Sequence, residues 1–103
     1  MVDPVEEVHK FVKQVPAGKV VTYGQIAGCI DSCRLTARMV GTIMRDCPME
    51  VPWHRVVGAG GTLPVGKRSP EYALKQKAML ANEGVAFRKS GAIDMEKSQY
   101  NEF

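Results

Sequence analysis

The chain has 103 residues, a length that suits one domain and can bury a single modest core. Hydrophobic residues make up 45% of it and charged residues 24%, values typical of a soluble globular protein. No stretch approaches the roughly 20 consecutive apolar residues of a membrane span, and the N-terminus lacks the pattern of a signal peptide, so we expect no membrane partner. The expected location is the cytoplasm, with association to the nucleoid in a bacterial source.

Three cysteines, Cys29, Cys33 and Cys47, make a disulfide framework improbable, because an odd number in a chain without an export signal is typical of free thiols. Together with His54 they fit none of the common zinc spacings. We therefore predict no metal site, no cofactor and three small, half-buried thiols.

Positive charge is concentrated in the middle of the chain. Residues 51–90 carry seven Lys or Arg against two Glu, a local excess of five positive charges, within a net charge of +3. The last thirteen residues sum to −2. A basic middle with acidic ends suits a polyanionic partner, although a solvated surface can have the same pattern.

Helix signals dominate the first half of the chain. Asp3 and Pro4 predict a helix start, followed by valines at helical spacing up to Val15. Thr22 and Gln25 form a second capping-box pattern, which predicts a second helix. After a short break a third helix is predicted from about Cys33 to Arg45, and the pair is typical of a helix-turn-helix.

The predicted third helix has two unlike sides. On a helical projection Arg34, Arg38 and Arg45 share one side, while Leu35, Met39, Val40, Ile43 and Met44 lie opposite. The small residues Ala37 and Gly41 flank the arginines, which would let the backbone approach a phosphate or enter a groove. The arginines indicate either a solvated face or a DNA-binding face.

The second half predicts a hairpin and one more helix. Val56 and Val57, a Gly-rich turn at residues 58–61, and Thr62 with Leu63 are typical of a β-hairpin, which would be a wing. Ser69 and Pro70 predict a helix start, and Gly84 its end. The predicted fold is therefore mainly α, a single winged helix-turn-helix domain over residues 1–103 with a small β-hairpin wing. Residues from about 90 to 103 are predicted to be a loosely ordered tail.

Residues 52–56, Pro-Trp-His-Arg-Val, are the most informative stretch. His54 could act as a general base, but no Ser, Cys or Thr adjoins it in sequence. Trp53 offers an aromatic face and one N–H donor and cannot be a nucleophile. From the residues alone, the two could equally be a core tryptophan and a buried, hydrogen-bonded histidine.

This stretch resembles the Pro-Cys-His-Arg-Val active-site motif of the O6-alkylguanine-DNA alkyltransferases, with Trp53 in place of the cysteine. Residues 18–27 resemble the family's entry to the helix-turn-helix, residues 37–41 its recognition-helix core, and residues 82–85 the end of its last helix. The resemblance covers about residues 5–87, the DNA-binding domain without an N-terminal companion domain. Trp at the cysteine position is similar to the alkyltransferase-like proteins, which bind alkylated DNA and transfer nothing.

The resemblance implies a role for each matching residue. Arg38 matches the arginine that takes the place of an extruded base, Tyr23 the tyrosine that presses on the 3′ phosphate, and Gly41 the close approach of the recognition helix in the minor groove. His54 and Glu83 match the partners that polarise a water beside the family's thiolate. The expected DNA-binding residues are Tyr23, Arg34, Arg38, Gly41 and Arg45, and the expected lesion-pocket residues are Tyr23, Trp53, His54, Arg55, Val56 and Ser69.

The function implied is non-enzymatic recognition of O6-alkylguanine in double-stranded DNA, with nucleotide flipping and no alkyl transfer. The expected protein is a monomer that flags the lesion for nucleotide excision repair proteins. Two alternatives stay open: an alkyltransferase that uses Cys47, and a winged-helix transcription regulator that reads base edges.

Overall fold

The computed structural model describes residues 3–45, 47–48, 50–63 and 70–101. Within these ranges the chain is mainly helical, which confirms the predicted class. The helices are α1 (Pro4–Lys13), α2 (Tyr23–Cys29), α3 (Ala37–Arg45), α4 (Pro70–Asn82) and α5 (Met95–Ser98). The strands are β1 (Val21–Thr22) and β2 (Val56–Val57), and two short 3-10 turns span Trp53–Arg55 and Ala59–Gly61.

The helix start predicted at the N-terminus is confirmed. The carboxylate of Asp3 accepts a hydrogen bond from the N–H of Val5 at 3.0 Å, and Pro4 occupies the first helical position, where a missing N–H has no consequence. Val8 and Val12, one turn apart, are fully buried. Helix α1 therefore packs its valine stripe into the core.

The capping box at the start of α2 is also confirmed. The hydroxyl of Thr22 accepts from the N–H of Gln25 at 3.0 Å, and the Gln25 side chain accepts from the N–H of Thr22 at 3.3 Å. Helices α2 and α3 pack around Ile26 and Val40, which are both fully buried in one cluster. The two helices form the pair that the sequence predicts.

Helix α3 begins at Ala37, so the start predicted near Cys33 is wrong. Thr36 caps the helix, because its hydroxyl accepts from the N–H of Met39 at 3.2 Å and its carbonyl accepts the first helical bond at 3.1 Å. Cap formation at Thr36 leaves Arg34 in the connection before the helix. Arg34 is therefore outside the helix, and the helical projection that placed it beside Arg38 and Arg45 does not apply to it.

The predicted β-hairpin wing is wrong, because β2 pairs in parallel with β1. Val56 lies opposite Val21, and both residues of β2 are buried, as is usual for parallel strands covered on both faces. The chain then folds through the Ala59–Gly61 turn, which the N–H of Gly58 closes by donating to the Thr62 carbonyl at 2.9 Å. Thr62 therefore leaves the turn without forming a strand.

Residues 90–101, part of the tail predicted to be loosely ordered, are instead docked on the body of the protein. Ile93 and Ser98 are buried, with 0% and 3% of their surface exposed. Val20 donates to the Ser98 carbonyl and accepts from the N–H of Tyr100, both at 2.8 Å, across a parallel bridge to Gln99. The backbone of buried Val20 needs hydrogen-bond partners, and the C-terminal segment supplies them.

Helix α4 ends as predicted, at a glycine in the left-handed region. Gly84 has a φ of +85°, its N–H donates to the Ala81 carbonyl at 3.0 Å, and the N–H of Val85 donates to Leu80 at 3.1 Å. This pair of backbone hydrogen bonds forms a Schellman motif. It fixes Glu83, the residue before the glycine, at the last turn of the helix.

The short sheet separates two clusters of buried side chains, because neighbouring strand residues point to opposite faces. One cluster contains Val8, Val12, Val15, Val21, Ile26, Val40, Val51 and Val56, and the other contains Val20, Val57, Leu80, Val85 and Ile93. In the part of the chain described here, no helix is both long and apolar enough to cross a membrane.

Candidate nucleic-acid interface

The turn Trp53–Arg55 is held by α4. It enters β2 directly, and its backbone bond from the N–H of Arg55 to the Pro52 carbonyl measures 3.0 Å. Gln76, in the middle of α4 and only 2% exposed, donates its amide to the carbonyls of His54 and Val56, both at 3.0 Å. The role of Gln76 was not predicted from the sequence, because nothing in its own helix signals a buried polar residue.

His54 and Glu83 are brought together as expected. His54 is 6% exposed, and its Nε2 lies 2.9 Å from Oε2 of Glu83. Arg55 binds the same carboxylate with both ends of its guanidinium, Nε to Oε1 at 3.0 Å and an amino group to Oε2 at 2.7 Å. Its other amino group donates to the Val15 carbonyl at 2.9 Å. The network therefore ties the turn to the ends of α1 and α4.

The carboxylate of Glu83 is strongly stabilised in its charged form. The hydrogen bonds from Arg55, and after them the bond from His54, outweigh partial burial and lower the pKa of Glu83 from 4.5 to about 2. The partner Nε2 of His54 must then carry the hydrogen, since a carboxylate only accepts. In the neutral ring Nδ1 is an acceptor, and it is buried without a partner among the described residues.

Trp53 contacts one buried ring and one exposed ring. Its ring is 6.3 Å from that of His54 and 6.1 Å from that of Tyr72, at interplanar angles of 85° and 81°. Trp53 is half-buried, whereas Tyr72 is 54% exposed. The contact between Tyr72 and Trp53 was not predicted from the sequence, because only the packing of α4 against the turn places these two residues side by side.

Two residues expected to line the lesion pocket have other roles in the structure. Val56 is 2% exposed within a core cluster, because it pairs with β1 and faces inward. The guanidinium of Arg55 is occupied by Glu83 and Val15, as described above. Ser69, which was also expected to line the lesion pocket, lies outside the described residues.

The arginine face predicted on α3 is present in part. Arg38 and Arg45 are exposed, and Gly41 between them is half-buried with open space where a side chain would begin. The opposite side packs against the core through Val40, as expected. Met39, expected on the apolar side, is 44% exposed, because it stands at the border of the buried stripe.

The other two residues expected at this interface, Tyr23 and Arg34, lie on α2 and in the connection before α3. Tyr23 is the first residue of α2 and packs half-buried against the core cluster that also contains Val40. Arg34 is exposed in the segment that precedes α3. Exposed arginines beside a small residue at a helix surface suit a close approach to a phosphate backbone.

Cys47 is poorly suited to nucleophilic chemistry. Its side chain packs against the core, and burial raises the pKa of the thiol from 9.0 to about 11. The thiolate is the reactive form of cysteine, so this residue is almost entirely unreactive at neutral pH. Over residues 3–101, apart from the gaps given above, no three His, Cys, Asp or Glu converge on a possible metal position.

Comparisons with known proteins agree with this architecture. The profile of the family described as "6-O-methylguanine DNA methyltransferase, DNA binding domain" matches residues 3–85. A protein of Escherichia coli named DNA base-flipping protein is 37% identical over 98 residues, which cover 93% of this chain and 73% of that protein. Alkyltransferase-like protein 1 of Schizosaccharomyces pombe is 40% identical over 82 residues, covering 77% and 73%.

The fold is similar to that of a solved complex. The crystal structure of S. pombe Atl1 with damaged DNA containing O6-carboxymethylguanine matches with a TM-score of 0.76 and 32% identity, covering 94% of each chain. The match with the family profile covers the helix-turn-helix, Trp53 and the His54–Glu83–Arg55 network. This chain therefore belongs to the family of the 6-O-methylguanine DNA methyltransferase DNA-binding domain.

Proposed function

We propose that this protein binds double-stranded DNA that carries O6-alkylguanine, extrudes the damaged nucleotide against Trp53 and transfers no alkyl group. The proposal is carried by the observed His54–Glu83–Arg55 network, which adjoins an indole at the position that the motif resemblance assigns to the family's cysteine. The network keeps the turn rigid, while the residue it presents can stack on a base but cannot attack an alkyl carbon.

The chemistry of Trp53 and Cys47 supports the absence of transfer. Alkyl transfer from O6 to a cysteine needs a thiolate within reach of the alkyl carbon. Trp53 has no such group, and the pKa of Cys47, about 11, keeps that thiol protonated. An alkyltransferase that acts through Cys47 is therefore the weaker reading.

Helix α3 is proposed to dock in the minor groove with its exposed arginine face toward the DNA. Gly41 admits the backbone to the groove, and Arg34 and Arg45 meet phosphates, which adds salt-dependent affinity without sequence preference. Arg38 fills the space of the extruded base, because a planar cation can stack and also hydrogen-bond to the orphaned partner. Tyr23, at the N-terminus of α2, presses on the phosphate of the rotating nucleotide.

The energetics favour a damaged base over a normal one. Extrusion costs a few kcal/mol of stacking and pairing, and less for a guanine whose O6 substituent already weakens its pairing. Stacking on an aromatic side chain returns roughly 1–3 kcal/mol per base. Trp53, which is half-buried and in edge-to-face contact with the ring of His54, provides such an aromatic surface.

The name of the E. coli relative, DNA base-flipping protein, and the damaged DNA bound to S. pombe Atl1 support the same reading. We further propose that the protein acts as a monomer and that its long-lived complex with DNA marks the lesion for nucleotide excision repair. Excision of O6-alkylguanine at the same rate in cells with and without the protein would refute that last step.

The decisive experiment is a titration of a duplex with one O6-methylguanine and of its unmodified counterpart at fixed salt, followed by intact-mass analysis. We expect tighter binding to the modified duplex, no change in protein mass, and a loss of about tenfold or more for Arg38→Ala. The matched control, Lys97→Ala, removes one exposed positive charge from α5 and should lose much less. Equal binding to both duplexes would favour a general DNA-binding module or a transcription regulator. A methyl-sized mass gain would reveal transfer to a cysteine.

A further inference from the structure

Tyr72 is an aromatic residue that stands largely outside the core. It lies in the first turn of α4 and belongs to neither cluster of buried side chains, and 54% of its surface is open to solvent. Its ring nevertheless contacts that of Trp53, at 6.1 Å and 81°. This edge-to-face geometry is one that aromatic rings prefer.

The two rings that contact Trp53 differ in exposure. His54 is buried and hydrogen-bonded to Glu83. Tyr72 is 54% exposed and makes an edge-to-face contact with the indole. Tyr72 is therefore the aromatic neighbour of Trp53 that is open to a group bound against the indole.

We propose that Tyr72 is a specificity-determining residue, which contacts the O6 substituent of the extruded base when that substituent carries an aromatic ring. The proposal rests on the proposed function, because it takes Trp53 as the surface against which the base lies. A benzyl group projects well beyond the guanine ring system and offers both a face and an edge to a second aromatic ring. A methyl group ends beside the base and offers little contact to a second aromatic ring.

The test compares affinities for duplexes with O6-benzylguanine and O6-methylguanine, measured for the wild-type protein, Tyr72→Ala and Tyr72→Phe. We expect Tyr72→Ala to lower the ratio of benzyl to methyl affinity about fivefold to tenfold, and Tyr72→Phe to preserve the ratio, because the ring and not the hydroxyl makes the contact. Leu74→Ala is the matched control, since Leu74 lies two residues away on α4, is 70% exposed and is equally a surface truncation.

The outcomes separate this inference from the function on which it rests. A ratio that Tyr72→Ala leaves unchanged, or one that Leu74→Ala lowers as much, overturns the role of Tyr72 while lesion binding stands. A wild-type protein that does not prefer either modified duplex over an unmodified one overturns the proposed function, and this inference with it.

A second measurement tests the contact itself without DNA. Trp53 is the chain's one tryptophan, so emission excited at a wavelength that the three tyrosines do not absorb reports on its surroundings alone. We expect Tyr72→Ala to shift the emission of the free protein and Leu74→Ala to leave it unchanged. Identical emission from the wild type and Tyr72→Ala would remove the contact on which the inference stands.

Discussion

Glu83→Gln is expected to destabilise the protein in a way that depends on pH. At neutral pH the folded protein holds Glu83 as a carboxylate between Arg55 and His54, with 18% of its side chain exposed. The pKa falls from 4.5 to about 2 on folding. At 1.36 kcal/mol per unit of pKa, the charged carboxylate contributes about 3 kcal/mol to the free energy of unfolding.

The sign of the pH dependence follows from the lowered pKa. The stabilisation is complete above the unfolded pKa of 4.5 and is lost as pH falls toward about 2. Near that pH the Glu83 carboxylate of the folded protein also becomes protonated. A glutamine in this position carries no charge at any pH. The difference between the wild type and Glu83→Gln should therefore be about 3 kcal/mol at pH 7 and vanish near pH 2.

Chemical unfolding monitored by circular dichroism at pH 7, 4.5, 3 and 2.5 measures this difference directly. Glu96→Gln is the control, because Glu96 is exposed on α5 and loses the same charge. It should change the free energy of unfolding by less than about 1 kcal/mol at each pH. A Glu83→Gln penalty that stays constant from pH 7 to 2.5 would refute the electrostatic reasoning, and one below about 1 kcal/mol would mean that the network is no stronger than a surface ion pair.

Two further predictions concern the C-terminal segment and the thiols. Gly61→Ala should lower the free energy of unfolding by at least about 3 kcal/mol, since a Cβ there, at a φ of +84°, would lie 2.4 Å from the carbonyl oxygen of Ile93. Gly60→Ala, at a φ of +74° but in open space, should lose only about 1–2 kcal/mol, and equal losses would contradict the close packing of the segment. In the folded protein at pH 7.5, iodoacetamide should modify exposed Cys29 and spare Cys47, whose pKa is about 11; peptide mass mapping that found Cys47 modified first would contradict its burial.

Local signals in the sequence determined the elements whose ends are set by neighbouring residues. The caps at Asp3 and Thr22 and the glycine stop at Gly84 were predicted correctly, because each depends on hydrogen bonds within one turn of a helix. The pairing of His54 with Glu83 was predicted through a family motif and not from spacing. The two residues are 29 positions apart, and no local pattern signals their contact.

Only the tertiary structure decided which distant segments meet. Val56 looked like the first strand of a hairpin, but pairing with Val21 buries both residues, which a turn at the surface could not do. Residues 90–101 looked too polar to fold, yet Ile93 and a few backbone hydrogen bonds are enough to dock them. The neighbours of Trp53 likewise depend on how α4 crosses the turn. Burial and hydrogen bonding between remote segments depend on the whole chain packing together, so no local pattern records them.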